Sequence, residues 1–230
     1  MPALTGLRLT TVYGERVDVA CAAVLLDMDG TLVDSSACVE AKWRWWSKRY
    51  GLDPNTVLAV AHGRRLDDTI RHTAPHLDLD RTVAELARHE EQETTGLDVV
   101  PGAPELLAAL PAGTWAVVTS AWRTLAQIRL RHVGLSVPEV LVTADDTPAG
   151  KPNPDGYLVA AARLAREAAD CVVVEDSPVG ISAGHAAGMR VIGLCTTFTP
   201  PLLNADWVIE DLRSLRRHES AAPMTGAPAK

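Results

Sequence analysis

Apolar positions along the chain follow two rhythms. Strand-like runs at 22–27, 115–119, 139–142, 171–174, 190–194 and 206–209 alternate, after residue 101, with stretches at helical spacing: 104–110, 123–133, 154–166 and 179–187. Short runs with apolar residues at consecutive positions are buried on both faces, and their alternation with helices implies a parallel sheet covered on both sides. The pattern predicts a doubly wound parallel α/β domain. Ahead of it, residues 7–19 alternate loosely around Tyr13-Gly14-Glu15-Arg16, which predicts a small hairpin.

Between Ser36 and about Thr95 the rhythm is helical throughout. Val39, Trp43, Trp46 and Tyr50 share one helix face, and Gly51 ends that helix. Asp53-Pro54 opens a second helix, with Asp as its cap and Pro in its first turn. His62-Gly63-Arg64-Arg65 interrupts as a loop, and 66–73 and 82–93 read as two more helices. The expected organisation is a core domain at 1–34 and 97–218, a small all-helical domain inserted at 35–96 after the first core strand, and an Ala/Pro/Gly-rich disordered tail at 219–230.

Composition narrows the partners. A hydrophobic share of 47% supports a sizeable core, and a formal net charge of −7 disfavours broad nucleic-acid binding, which draws on a basic face. Cys21, Cys38, Cys171 and Cys195 form no CxxC pair and read as reduced thiols. No apolar run approaches the ~20 residues of a membrane helix, and the first residues lack a basic region followed by an apolar block. A cytoplasmic protein without membrane or nucleic-acid partners is expected, as a monomer with a dimer as the alternative.

The chemistry collects where apolar runs stop. Val24-Leu25-Leu26 breaks into Asp27-Met28-Asp29-Gly30-Thr31, Val117-Val118 into Thr119-Ser120, and Val173-Val174 into Glu175-Asp176. Ligands of open parallel sheets bind at the carboxyl ends of the strands. Helix capping explains any one of these ends, but not three together. Carboxylates converging to about 4 Å repel by roughly 4 kcal/mol at an effective dielectric of 20. A hard divalent cation, magnesium by default, relieves this; without it one acid must stay protonated. Gly150-Lys151-Pro152-Asn153-Pro154 holds Lys151 on a stiff loop, a candidate cation for a phosphate.

The four segments Asp27-Met28-Asp29-Gly30-Thr31, Val118-Thr119-Ser120, Lys151-Pro152 and Glu175-Asp176-Ser177 resemble, in order and spacing, the four motifs of the haloacid dehalogenase superfamily. The helical insert resembles the small cap of its β-phosphoglucomutase-like branch. The resemblance implies a Rossmannoid core and a magnesium-dependent phosphatase. Asp27 would be the nucleophile that forms an aspartyl phosphate, and Asp29 the general acid and then base. Thr119 or Ser120 and the backbone N–H of Met28 would bind the phosphoryl group, and Lys151 would neutralise it. Asp27, the carbonyl of Asp29 and Asp176 would ligate magnesium, with direct or water-mediated support from Glu175. True dehalogenases lack the second acid, so Asp29 excludes that reaction. Lys42 and Lys48 of the first cap helix have no evident Schiff-base role.

The cap loop His62-Gly63-Arg64-Arg65-Leu66-Asp67-Asp68 resembles the corresponding segment of the 2-deoxyglucose-6-phosphate phosphatase and glycerol-phosphatase group. That implies a small phosphorylated sugar or polyol as substrate, read by His62, Arg64 and Asp68, with Asp68 locking Arg64 or accepting a hydroxyl. A phosphomutase or a non-catalytic phosphate-ligand binder is the alternative. Trp43 and Trp46 can be buried on one helix face, while Trp45 points elsewhere.

Overall fold

A computed structural model describes residues 6–218; the expected tail at 219–230 lies outside the described residues. The chain begins with β1 (Leu7–Thr10), β2 (Arg16–Val19), β3 (Ala23–Leu26) and β4 (Val33–Asp34), followed by helices α1 (Ser36–Tyr50), α2 (Pro54–Ala61), α3 (Leu66–Thr73) and α4 (Leu79–Gln92). It continues through β5 (Asp98–Val99), α5 (Ala103–Ala109), β6 (Trp115–Val118), α6 (Arg123–His132), β7 (Leu141–Val142) and α7 (Asp155–Arg163). It closes with β8 (Cys171–Glu175), α8 (Pro178–Ala186), β9 (Arg190–Leu194), β10 (Trp207–Ile209) and β11 (Leu215–Arg217).

Six strands form one parallel sheet in the order β10-β9-β8-β3-β6-β7. β3 lies at its centre, where the chain order reverses: later strands build outwards to either side. That switch point opens a crevice at the strand carboxyl ends. The burial of β3 follows from its position. Val24 and Leu26 join the apolar cluster on one face of the sheet, and Ala23 and Leu25 the cluster on the other. Side chains alternate across a strand, so burial on both faces requires the unbroken apolar run seen in the sequence.

The expected hairpin is present: β1 pairs antiparallel with β2, and also with β11 on its other edge. Leu7, Leu9 and Leu215 of this three-stranded sheet pack into the main apolar cluster. β11 escaped the sequence reading because Leu-Arg-Arg carries one apolar residue. The two-residue strands β4 and β5 escaped for the same reason; they pair Val33 with Val99 where the chain leaves the sheet for the helices and where it returns.

Helices α1 to α4 bury a cluster of their own, built on Trp43, Trp46, Val57, Ile70 and Leu86. Trp43 and Trp46 meet edge to face with centroids 5.4 Å apart. Gly51 ends α1 in the left-handed conformation, and Asp53 caps α2 by accepting from Asn55 N–H. α4 starts three residues before the expected Thr82, because Asp78 accepts from Arg81 N–H. α7 stops at Arg163 rather than Arg166, since Ala165 turns to a positive φ of 53°.

Candidate active site

The loops after β3, β6 and β8 meet because their strands are neighbours. Asp27 N–H donates to the Val174 carbonyl at 3.0 Å, carrying the β3–β8 ladder one residue further, and the Met28 carbonyl then accepts from Leu32 and Val33 N–H at 2.8 and 2.9 Å. This return leaves the N–H groups of Met28 and Asp29 without a backbone acceptor among the described residues. Gly30 makes the turn with φ 84°, and a Cβ there would stand 2.0 Å from Asp176 Oδ2. Only glycine allows the two loops to approach so closely.

Asp27, Glu175 and Asp176 are buried, and their nearest oxygens lie within 4.8 Å of one another. Lys151, also buried, donates to Asp27 Oδ1 and to Glu175 Oε1, the latter at 2.6 Å. The Lys151–Pro152 peptide is cis. Glu175 is saturated: Oε1 also accepts from Tyr157 Oη at 3.1 Å, and Oε2 from the N–H groups of Asp176 and Ser177 and the Ser177 hydroxyl, each at 2.9 Å. The Asp176 carboxyl accepts from the Thr197 hydroxyl.

Electrostatically the cluster is short of positive charge: three carboxyls share the single ammonium of Lys151. Burial pushes the Asp27 carboxyl up to about 8, although Lys151 pulls it down. Burial, and then the charges of Glu175 and Asp27, push Asp176 well above the usual carboxylate range. The charges of Asp27 and Glu175 overcome burial and hold Lys151 firmly protonated. An all-oxygen, buried, over-anionic donor set is what a hard divalent cation fits.

Asp29 faces the cleft differently. Its Oδ1 accepts from Arg129 Nη1 at 2.7 Å, Arg129 Nη2 donates to Glu90 Oε1 at 3.0 Å, and the same oxygen takes Lys42 Nζ at 2.8 Å. Arg129 of α6, Glu90 of α4 and Lys42 of α1 are all buried and all line the cleft. Sequence reasoning missed Arg129 and Glu90 and gave Lys42 no part. Their only signal was a charged residue at an inward helical position, next to Leu130 on α6 and next to Trp43 on α1.

The cleft has about 80 Å³ of free volume. Asp27, Asp29, Thr119, Ser120, His62, Arg64 and Asp176 border it, so most of the expected residues are brought together. Lys151 and Glu175 lie beside Asp27, outside the lining itself, with Lys151 bonded to both carboxylates. The geometry bears on two expectations, the Asp68–Arg64 lock and the choice between Thr119 and Ser120. Asp68 does not lock Arg64: it accepts from Arg71 Nη1 at 3.3 Å, one turn along α3, and is absent from the cleft lining. The Ser120 hydroxyl is taken by the Gly63 carbonyl at 2.8 Å, whereas the Thr119 hydroxyl accepts from Ala121 N–H at 3.1 Å and keeps its own proton to donate. The loop at Gly63 comes so near that a Cβ there would meet Ser177 Oγ at 2.3 Å. Arg65, rather than Arg64, fastens this loop, donating to the Thr147 hydroxyl and to the Ala149 carbonyl. Arg64 is exposed at the cleft mouth. Burial, and then the charge of Lys42, push the His62 imidazole below its ordinary value, and its ring meets Phe198 edge-on.

A model of the haloacid dehalogenase-like hydrolases matches residues 24–194. Hexitol phosphatase A of Escherichia coli (strain K12) is 41% identical over 201 residues, covering 85% of this chain and 93% of that protein. Glycerol-1-phosphate phosphohydrolase 2 of Saccharomyces cerevisiae is 35% identical, covering 84% of each chain. A solved structure described as a putative β-phosphoglucomutase from Bacteroides vulgatus superposes with a TM-score of 0.69 at 29% identity, covering 84% of each chain.

Proposed function

Since the chain belongs to the haloacid dehalogenase-like hydrolase family, we propose that it is a magnesium-dependent phosphatase that hydrolyses a small phosphorylated sugar or polyol through an aspartyl-phosphate intermediate. The observation that carries this reading is the pairing of a buried Asp27 with Lys151 in the same cleft as a second, differently held acid, Asp29. The substrate class rests on the likeness to named hexitol and glycerol phosphatases.

Phosphoryl transfer calls for in-line positioning and neutralisation of the equatorial oxygens. Asp27 attacks phosphorus and takes the phosphoryl group. Asp29 gives its proton to the departing alcohol oxygen, then takes one from the water that cleaves the acyl phosphate. Lys151, the Thr119 hydroxyl and the N–H groups of Met28 and Asp29 receive the phosphoryl oxygens. Asp27, Asp176 and the Asp29 carbonyl would hold magnesium; Glu175, whose oxygens already accept five hydrogen bonds, serves by fixing Lys151 and the Asp176 loop. Bound there, the ion would offset negative charge on nucleophile and phosphate. Helices α1 to α4 act as the cap that closes over the alcohol half of the substrate.

A panel of phosphate monoesters assayed with magnesium and with EDTA tests this. Metal-dependent phosphate release from sugar or polyol phosphates is expected, and no release from any member refutes the reading. An isomerised sugar phosphate in place of free phosphate would mark a phosphomutase.

A further inference from the structure

Asp29 has to deliver a proton to one oxygen of a bound ester, so its carboxyl must be aimed. The four side chains Asp29, Arg129, Glu90 and Lys42 form a chain of alternating charge that runs from the β3 loop through α6 to α4 and α1. We propose that Arg129 is the positioning residue for Asp29, and that Glu90 sets Arg129 from the cap. The proposal rests on the phosphatase reading above.

Three observations carry it. Arg129 is 4% exposed and its guanidinium is gripped at both ends, by Asp29 at 2.7 Å and by Glu90 at 3.0 Å. A planar fork fixed at two points has one orientation, and it passes that orientation to the carboxylate it binds. Secondly, the fork occupies only Oδ1 of Asp29; Oδ2 has no hydrogen bond among the described residues and stays available for the leaving oxygen. Thirdly, in-line attack by Asp27 puts the leaving oxygen on the far side of phosphorus, towards the cap. The link to Glu90 on α4 draws the Asp29 carboxyl to that side. A salt bridge serving only the fold would have no reason to border the cleft, yet Arg129, Glu90 and Lys42 all do.

The test uses the dependence on leaving group. An alkoxide needs the proton from Asp29, while p-nitrophenolate leaves without one. Arg129→Met should lower kcat/KM about tenfold or more on the most active alkyl phosphate of the panel, part of the roughly 10²–10⁴-fold that general-acid catalysis contributes. On p-nitrophenyl phosphate kcat/KM, which reports only the steps up to release of the leaving group, should fall by less than about threefold, since the later work of Asp29 as base in cleaving the acyl phosphate enters kcat alone. Arg129→Lys, which keeps the charge but one arm of the fork, should fall between, and carries the same ratio test should the Met variant not fold. Glu90→Gln should shift the ratio in the same direction by less. Equal losses of kcat/KM on both esters overturn the proposal. Wild-type protein that releases phosphate from neither ester would instead refute the phosphatase reading.

Discussion

The floor and the roof of the cleft are built on opposite plans. On the floor, Asp27, Lys151 and Glu175 lie at most 7% exposed and hold one another, with Glu175 accepting five hydrogen bonds. On the roof, the exposed Arg64 side chain makes no hydrogen bond among the described residues, and His62 meets the edge of Phe198. A site that stabilises a charge-rich transition state gains from groups already in place, since no reorganisation is needed at the moment of reaction. A surface that has to recognise hydroxyls needs donors and acceptors not already spent on the protein. Under the proposed phosphatase reading, the floor suits the phosphoryl half of the substrate and the roof the alcohol half.

The sharpest way to break this division is at Asp27. Asp27→Asn keeps the shape and most hydrogen-bonding capacity while removing the nucleophile. Phosphate release from every ester should fall by on the order of 10⁴-fold or more, with the melting temperature within a few degrees of wild type. Residual activity that varies from ester to ester would show that the floor is not common to all substrates.

Removing Lys151 tests the wiring rather than the nucleophile. Lys151→Met leaves Asp27 and Glu175 buried without their cation. Breaking a buried pair costs about 3–5 kcal/mol, and each kcal/mol lowers the melting temperature of a chain this size by about 2–4 °C. Thermal melts should therefore show a loss of roughly 6–20 °C alongside lost activity. Arg64→Ala, on the roof, should leave the melt unchanged. Equal losses from both substitutions would erase the distinction.

The two regions were also unequally legible in the sequence. Floor residues sit at strand ends, where an apolar run stopping at Asp27, Thr119 or Glu175 announces both the element and a candidate site; neighbouring strands then bring those ends together. The network beneath the roof had no such marker. Arg129, Glu90 and Lys42 lie on helices, where a charged residue looks like one more solvated position until three helices are packed and bury it. Asp68 failed for a related reason: residues four apart on a helix meet, so Arg71 competed for the carboxylates of Asp67 and Asp68 and won. Strands β4, β5 and β11 were too short or too polar to show an alternating pattern.

Proton linkage gives a smaller, metal-dependent test. The Asp27 carboxyl sits at about 8 in the folded chain against about 3.9 when unfolded. The folded state therefore binds the proton more tightly, and this contribution to stability is complete below about pH 4 and is lost as pH rises through about 8. Asp176 shifts the same way. In EDTA the melting temperature should fall by a few degrees between about pH 6 and about pH 8. With magnesium the fall should shrink or reverse, because the cation binds the deprotonated carboxyls. A metal-free melt that does not change with pH would mean that the floor is not over-anionic.

The smallest effect isolates the roof. Arg64 offers five N–H donors at the cleft mouth with no acceptor for them among the described residues, and its loop is held by Arg65 and Gly63 rather than by the Arg64 side chain. Arg64→Ala should therefore remove contacts to the substrate without moving the loop. If those contacts go to hydroxyls of the alcohol, they are as strong in the ground state as in the transition state. Their loss should raise KM for polyol phosphates by about tenfold, equivalent to about 1.4 kcal/mol, and leave kcat within about threefold. Hydrolysis of p-nitrophenyl phosphate, which carries no such hydroxyls, should keep its KM. A rise in KM on both esters would place Arg64 against the phosphate, and would extend the charge-neutralising floor up to the mouth of the cleft.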